Sequence, residues 1–170
     1  NAFSFMSYFV IIRGPLGCGK STIAAIVAKT IGAERIEMDL IVDDPKLIVR
    51  EKEDGYISQK NFIDANKIAV DKIKKDLEAG TPVVLDGNFY WRSQLDDLIA
   101  RLDFPNYVFT LKIPLEVCIY RDSKRARSYG EDAAKAVYQK STEFDYGNLI
   151  DVDRSLGESV GEVLSFLPRD

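Results

Sequence analysis

The chain has 170 residues, 46% of them hydrophobic, enough for one core of ordinary domain size and too little for a second independent domain. A formal charge of −4 argues against non-specific binding to nucleic acid or to an anionic membrane, which needs a basic field. Histidine is absent, which removes Ser-His-Asp triads, Cys-His nucleophile pairs and the commonest metal ligand.

In chain order, residues 1–5 (NAFSF) precede Met6 and read as a tag or a disordered start. Residues 8–12 (YFVII) form a short aromatic and β-branched run that stops at Gly14, the pattern of a buried strand. After a glycine-rich loop, Ile23, Ile26, Val27 and Thr30 recur at helical spacing, so a helix is predicted over 21–30 with Gly32 past its end. Residues 35–38 read as a weak second strand leading into Asp39, and 45–56 are charged and ambiguous. Phe62, Ala65, Ala69, Ile73 and Leu77 mark a long amphipathic helix over 58–79, closed by Gly80 and Pro82. The remaining elements follow the same logic: strands over 83–85, 107–113 and 149–152, helices over 91–102, 115–128 and 160–167, and a short helical stretch near 133–138. Strands alternating with helices imply a parallel sheet covered on both faces. No apolar run approaches the roughly 20 residues of a membrane span, and a soluble cytoplasmic protein with reduced, unpaired Cys18 and Cys118 is expected.

The loop between the first strand and first helix, Gly14, Pro15, Leu16, Gly17, Cys18, Gly19, Lys20, Ser21 and Thr22, satisfies G-x-x-x-x-G-K-[ST] in the required strand–loop–helix setting. Glycines let successive N–H groups turn inward around a phosphate, and the helix N-terminus adds its partial positive charge. Lys20 is expected to reach the β- and γ-phosphates of a bound nucleotide, and the Ser21 hydroxyl to ligate Mg2+. Asp86 follows the apolar run VVL, which puts its carboxylate at the sheet's C-terminal edge as a second magnesium partner; an ordinary Asp-Gly turn is the plain alternative.

The sequence resembles the P-loop kinases of small molecules and nucleic-acid ends, the AAA-type ATP-binding group that includes zeta toxins, gluconate kinase, chloramphenicol phosphotransferase and polynucleotide 5'-kinase. Four stretches between Ser7 and Arg127 carry the likeness: GPLGCGKST, MDLIVDD, EAGTPVVLDGNF and LEVCIYRDSKRAR. The resemblance implies a three-layer α/β/α P-loop fold with a five-stranded parallel sheet and a short helical lid at about 122–146, all within one domain over 1–170. It also implies that Asp39 accepts the proton of the acceptor hydroxyl, with Asp43 and Asp44 as rivals, and that Asn88 touches substrate or phosphate. In such kinases the first of two lid arginines lies near the base and phosphates and the second neutralises the transferring phosphoryl group; here these are Arg121 and Arg125. Spacing by four puts both on one face of the predicted helix, with Arg127 pointing elsewhere, although a solvated basic face would look the same.

These residues point to an ATP- and Mg2+-dependent phosphotransferase acting, as monomer or dimer, on a hydroxyl or phosphate of a small molecule or nucleotide. Two rivals remain: a nucleotide-binding regulatory module, which would need neither Asp39 nor the arginine pair, and a nucleic-acid 5'-end kinase, which should show a basic groove. Tyr56, Phe62, Tyr90 and Trp91 would either stack on a base or sugar or belong to the core. The absence of an N-K-x-D motif favours adenine over guanine.

Overall fold

The computed structural model describes residues 7–126 and 128–169. The supposed tag at 1–5 and the direction of Arg127 lie outside the described residues. In chain order the elements are β1 (Phe9–Arg13), α1 (Lys20–Ile31), β2 (Glu34–Glu37), α2 (Met38–Asp43), β3 (Lys52–Glu53), β4 (Tyr56–Ile57), α3 (Gln59–Glu78) and β5 (Val83–Gly87), followed by α4 (Arg92–Leu102), β6 (Asn106–Lys112), α5 (Leu115–Ser123), α6 (Glu131–Ser141), β7 (Asn148–Asp151) and α7 (Leu156–Ser165). Five strands pair in the order β2-β5-β1-β6-β7, all parallel, as expected for the α/β fold.

Strands β1 and β5 are buried throughout, and apolar up to Arg13 and Asp86, because helices cover both faces of the sheet. Phe9 and Ile11 stand in register with Val83 and Leu85, and these four face Phe62, Ala65, Ala69, Ile73 and Leu77 of α3 and Leu95, Leu98 and Leu102 of α4. The alternate residues, Val10, Ile12 and Val84, face the opposite layer with Ile23, Ala24 and Val27 of α1 and Val160 and Val163 of α7. The five apolar positions that predicted α3 are thus its buried stripe. Ser58 caps this helix by accepting from the Asn61 N–H at 3.1 Å. Ser58→Ala should therefore cost about 1 kcal/mol, seen as a lower urea midpoint with an unchanged m-value.

Several boundaries differ from expectation for physical reasons. The second strand ends at Glu37 and Asp39 lies in the first turn of α2: Met38 and Val42, four apart and each 1% exposed, fix a helical face there. The ambiguous 45–56 segment contains a small hairpin, β3 with β4, turned by Asp54 and Gly55 at φ +53° and +83°. The helix expected over 115–128 stops at Ser123, because the buried Asp122 carboxylate accepts from the Ser128 hydroxyl at 2.9 Å and from the N–H groups of Tyr129 and Gly130 at 3.2 Å each. That cluster reverses the chain into α6, which is longer than the expected 133–138. The last helix begins at Leu156 because Ser155 caps it, its hydroxyl accepting from the Glu158 N–H at 3.2 Å. Phe62, Tyr90 and Trp91 are core residues in edge-to-face contact, and Tyr56 packs on them.

Candidate active site

The segments leaving the C-terminal ends of β1, β2 and β5 build the site, at the sheet edge where open α/β folds bind ligands. After β1, the loop from Gly14 to Gly19 bends at Gly17 and Gly19, with φ of +76° and +86°. Gly17 has a second constraint, since a Cβ there would lie 2.4 Å from the Cys118 carbonyl of α5. Pro15 supplies a carbonyl that accepts from the Cys18 N–H and, at 3.2 Å, from the Lys20 ammonium, which folds back over the loop. Cys18 is fully buried beneath Gly14, and burial raises its thiol pKa; Cys118, also buried, is pushed up to about 12. Both cysteines are therefore inert packing groups at neutral pH.

Gly19 caps α1 without any side-chain bond, so among the described residues the first-turn N–H groups of Ser21 and Thr22 are left for an anion. They open into a cavity of about 210 Å³ lined by Gly17, Gly19, Lys20, Ser21, Thr22, Arg121 and Arg125. Although α5 ends before Arg125, two further turns, Lys124 N–H to Arg121 O and Arg125 N–H to Asp122 O, keep both arginines at this cavity. The i, i+4 helical pairing is thus replaced by a helix end plus turn. Arg121 donates to the Cys18 carbonyl at 3.4 Å, whereas Arg125 is half exposed and 4.0 Å from Asp122. Beyond Arg121 a further cavity of about 250 Å³ runs between Thr22, Val152 and Arg154.

Asp86 sits at the floor of the loop, 2% exposed, in reach of Ser21. The Ser21 hydroxyl donates to its Oδ1 at 3.4 Å, and Arg35 Nε donates to its Oδ2 at 2.9 Å. Burial raises the Asp86 pKa against the opposing pull of Arg35. Two hard oxygens beside an open phosphate cavity fit magnesium, which keeps most of its waters and needs few protein ligands. Among the described residues no cluster of three or more His, Cys, Asp or Glu side chains is arranged for a metal.

Across the loop, Asp39 lies at a cavity of about 210 Å³ with Leu16, Asp43, Arg50, Asn88, Tyr90, Tyr129, Ala133 and Val137 among its walls. Both Asp39 carboxylate oxygens accept from the Asn88 N–H, at 3.2 and 3.1 Å, and the side chain rests against Gly87. Burial pushes its pKa up to about 6, with Lys20 opposing and Asp43 and Asp86 adding to the rise. Of the rivals, Asp43 lines the same cavity but is paired with Arg50, while Asp44 turns back to accept from the Lys46 N–H at 2.9 Å. Among the described residues the buried Asn88 Oδ1 has no partner, and the next residue, Phe89, holds φ +43°. A bulky residue in that region costs on the order of 1–3 kcal/mol and persists only where its surroundings enforce it.

A family profile described as AAA domain matches residues 9–144. The chain belongs to the AAA domain family. A gluconokinase from Sinorhizobium meliloti 1021 has the same fold, with a TM-score of 0.72 at 20% identity over 94% of this chain and 91% of that one. A sugar kinase from Janibacter sp. HTCC2649 matches with a TM-score of 0.77 at 19% identity, covering 94% and 93% respectively. A shikimate kinase of Marinomonas sp. (strain MWYL1) is 34% identical over 53 residues, which make up 28% of this chain and 29% of that protein. The P-loop kinase fold inferred from the motifs is therefore the fold this member of the AAA domain family has.

The structure brings Lys20, Ser21, Asp39, Asp86, Arg121 and Arg125 together around the glycine loop, whereas Asp44 is turned aside and Phe62 and Trp91 belong to the core. Three arginines escaped sequence reading: Arg35 on Asp86, Arg50 on Asp43, and the buried Arg13. Arg35 and Arg50 sit in charged stretches without periodicity, and nothing local distinguishes them. Arg13, a charge ending an otherwise apolar strand next to Gly14, was a visible anomaly.

Proposed function

We propose that the protein transfers the γ-phosphoryl group of MgATP to a hydroxyl of a small acceptor. The observation that carries this reading is that the anion cavity and the Asp39 cavity flank one loop, meeting it at Gly17 and Leu16. In the first, the loop N–H groups and Lys20 hold the β- and γ-phosphates, and Arg121 lies between phosphates and base. Arg125 is placed to meet charge on the transferring group. The cavity between Thr22, Val152 and Arg154 takes the base, for which adenine is the reading. The Ser21 hydroxyl and the Asp86 carboxylate would hold magnesium, which when bound would neutralise charge at the phosphates. Asp39 receives and orients the acceptor hydroxyl; with a loose transition state, orientation matters more than basicity. The unpartnered Asn88 Oδ1 is an acceptor for a second hydroxyl of the same molecule.

A cavity of about 210 Å³ is below the ~300–1,000 Å³ usual for drug-sized ligands, which favours a small hydroxylated molecule over a nucleic-acid end. The relatives named above as gluconokinase, sugar kinase and shikimate kinase suit the same acceptor class. The segment from Asp122 to Tyr146, with α6 covering the acceptor cavity, acts as the lid. Two buried, unpaired thiols suit a reducing, cytoplasmic setting, and among the described residues no helix is long and apolar enough to cross a membrane.

Titration calorimetry with MgATP tests the nucleotide half of the reading. Lys20→Ala should weaken binding by about tenfold or more, the loss of a charged hydrogen bond of roughly 1.5–3 kcal/mol, while the far-UV spectrum stays native. Superimposable binding curves for variant and wild type would contradict the site.

A further inference from the structure

Arg13 closes β1 immediately before the glycine loop, and its side chain is 0% exposed. Among the described residues no carboxylate bonds to it; Asp145, the acid that influences it most, pairs instead with Lys112 at 2.8 Å. Burial lowers its pKa to about 10, which leaves the guanidinium charged at neutral pH. A buried charge without an ion-pair partner must be satisfied by dipoles, and here every contact has a direction.

On one side Nε donates to the Phe89 carbonyl at 3.1 Å. Phe89 is the residue at φ +43°, and it follows Asn88, whose N–H meets the Asp39 carboxylate. On the other side the two terminal nitrogens donate to the Ser141 carbonyl at 2.8 Å, at the end of α6 where carbonyls lack helical partners, and to the Phe144 carbonyl at 3.3 Å in the segment that follows. A cation is favoured at a helix C-terminus, and the Phe144 ring adds a face 4.2 Å from the guanidinium carbon. Thr110 Oγ1, at 3.1 Å, completes the set from β6.

We propose that Arg13 is a positioning residue: one buried guanidinium holds both the turn that presents Asn88 to Asp39 and the C-terminal end of α6, so that docking of α6 over the acceptor cavity and alignment of Asp39 are one event. The importance of that alignment rests on the transfer reading above. The coupling itself does not, because it is a property of the free protein. The Lys140 ammonium, 3.7 Å over the Trp91 ring, is a second tie between α6 and the end of the same turn. Unlike Arg13 it does not reach the Phe89 backbone.

Amide hydrogen exchange resolved by NMR tests the coupling with Val137→Ala, a truncation on α6; because Val137 and Asn88 line the same cavity, it is made both in wild type and in Arg13→Met, where any direct effect on Asn88 persists and an effect carried by Arg13 does not. In wild type, Val137→Ala should speed exchange in α6 and, through Arg13, at the Asn88 amide by a similar factor, about tenfold for a cavity of this kind. In Arg13→Met the Asn88 amide should already exchange fast, and adding Val137→Ala should accelerate α6 alone. Arg13→Lys, which keeps the charge but loses the fork, should fall between. Faster α6 exchange with an unchanged Asn88 amide in Val137→Ala would overturn the proposal and reduce Arg13 to a helix cap, and that outcome holds even if Arg13→Met does not fold. Neither ATP nor an acceptor enters the experiment, so a protein without transfer activity could still show the coupling, and an uncoupled protein could still transfer phosphate.

Discussion

Asp39→Asn is expected to lower the rate of phosphoryl transfer by about 10²–10⁴, the usual contribution of a positioned acid–base group, while leaving MgATP affinity close to wild type. The separation follows from position: the carboxylate addresses the acceptor cavity and is held by the Asn88 N–H, whereas the phosphate cavity is built by Lys20, Ser21 and the loop. Since the ionised form is the one that accepts a proton, and burial pushes the pKa up to about 6, kcat/KM for wild type should rise with pH through about 6 and then level. The variant should lack that acidic limb. Stability should move the other way. The folded-state pKa lies above the unfolded value of about 3.9, so ionised Asp39 costs stability above pH 6 and nothing below pH 4. Asp39→Asn should accordingly be more stable at pH 8, by up to about 3 kcal/mol, and show no gain at pH 4. A variant with normal transfer and an intact acidic limb would return the role to Asp43, the other carboxylate of the cavity.

Arg125→Ala is expected to cost the most after loss of the loop itself. The side chain is half exposed and 4.0 Å from Asp122, so among the described residues it makes no strong bond whose loss would unfold the protein. Its place at the phosphate cavity suits an interaction realised only as charge develops on the transferring group. Such a residue lowers kcat and kcat/KM together, and in related phosphoryl transfers an arginine of this kind is worth ~10³-fold or more. Arg121→Ala offers the contrast, because Arg121 already touches the loop through the Cys18 carbonyl and should chiefly raise the KM for ATP. Equal losses of ground-state affinity in the two variants would mean that neither acts selectively on the transition state.

The nucleotide loop was legible because three glycines, a lysine and a hydroxyl at fixed spacing between apolar runs admit few other uses. Helix α3 was legible because five apolar residues at threes and fours had to become its buried stripe. Boundaries that depend on side chains distant in sequence were not. The end of α5 is set by Asp122 gathering the N–H groups of Tyr129 and Gly130, a local rearrangement invisible to helical periodicity. The early start of α2 depends on Met38 and Val42 meeting a core completed by α3 and β5. Asp54-Gly55 was a turn signal that could have been read, since this dipeptide favours the positive φ values both residues adopt. Within the site, Asp86 was placed by the apolar run VVL before it, and Asp39, Arg121 and Arg125 by resemblance. The arginines that brace them, Arg13 and Arg35, became visible only when strands far apart in the chain were brought side by side.

Transfer of radiolabel from γ-labelled ATP, with magnesium, to a panel of sugars, sugar acids, nucleosides and 5'-hydroxyl oligonucleotides tests the central claim most directly. Labelled product is expected with a small hydroxylated acceptor, abolished in Lys20→Ala and strongly reduced in Asp39→Asn. MgATP binding at the loop without label on any acceptor in the panel, or label transferred equally well by Asp39→Asn and Arg125→Ala, would contradict it and favour a nucleotide-binding regulatory module.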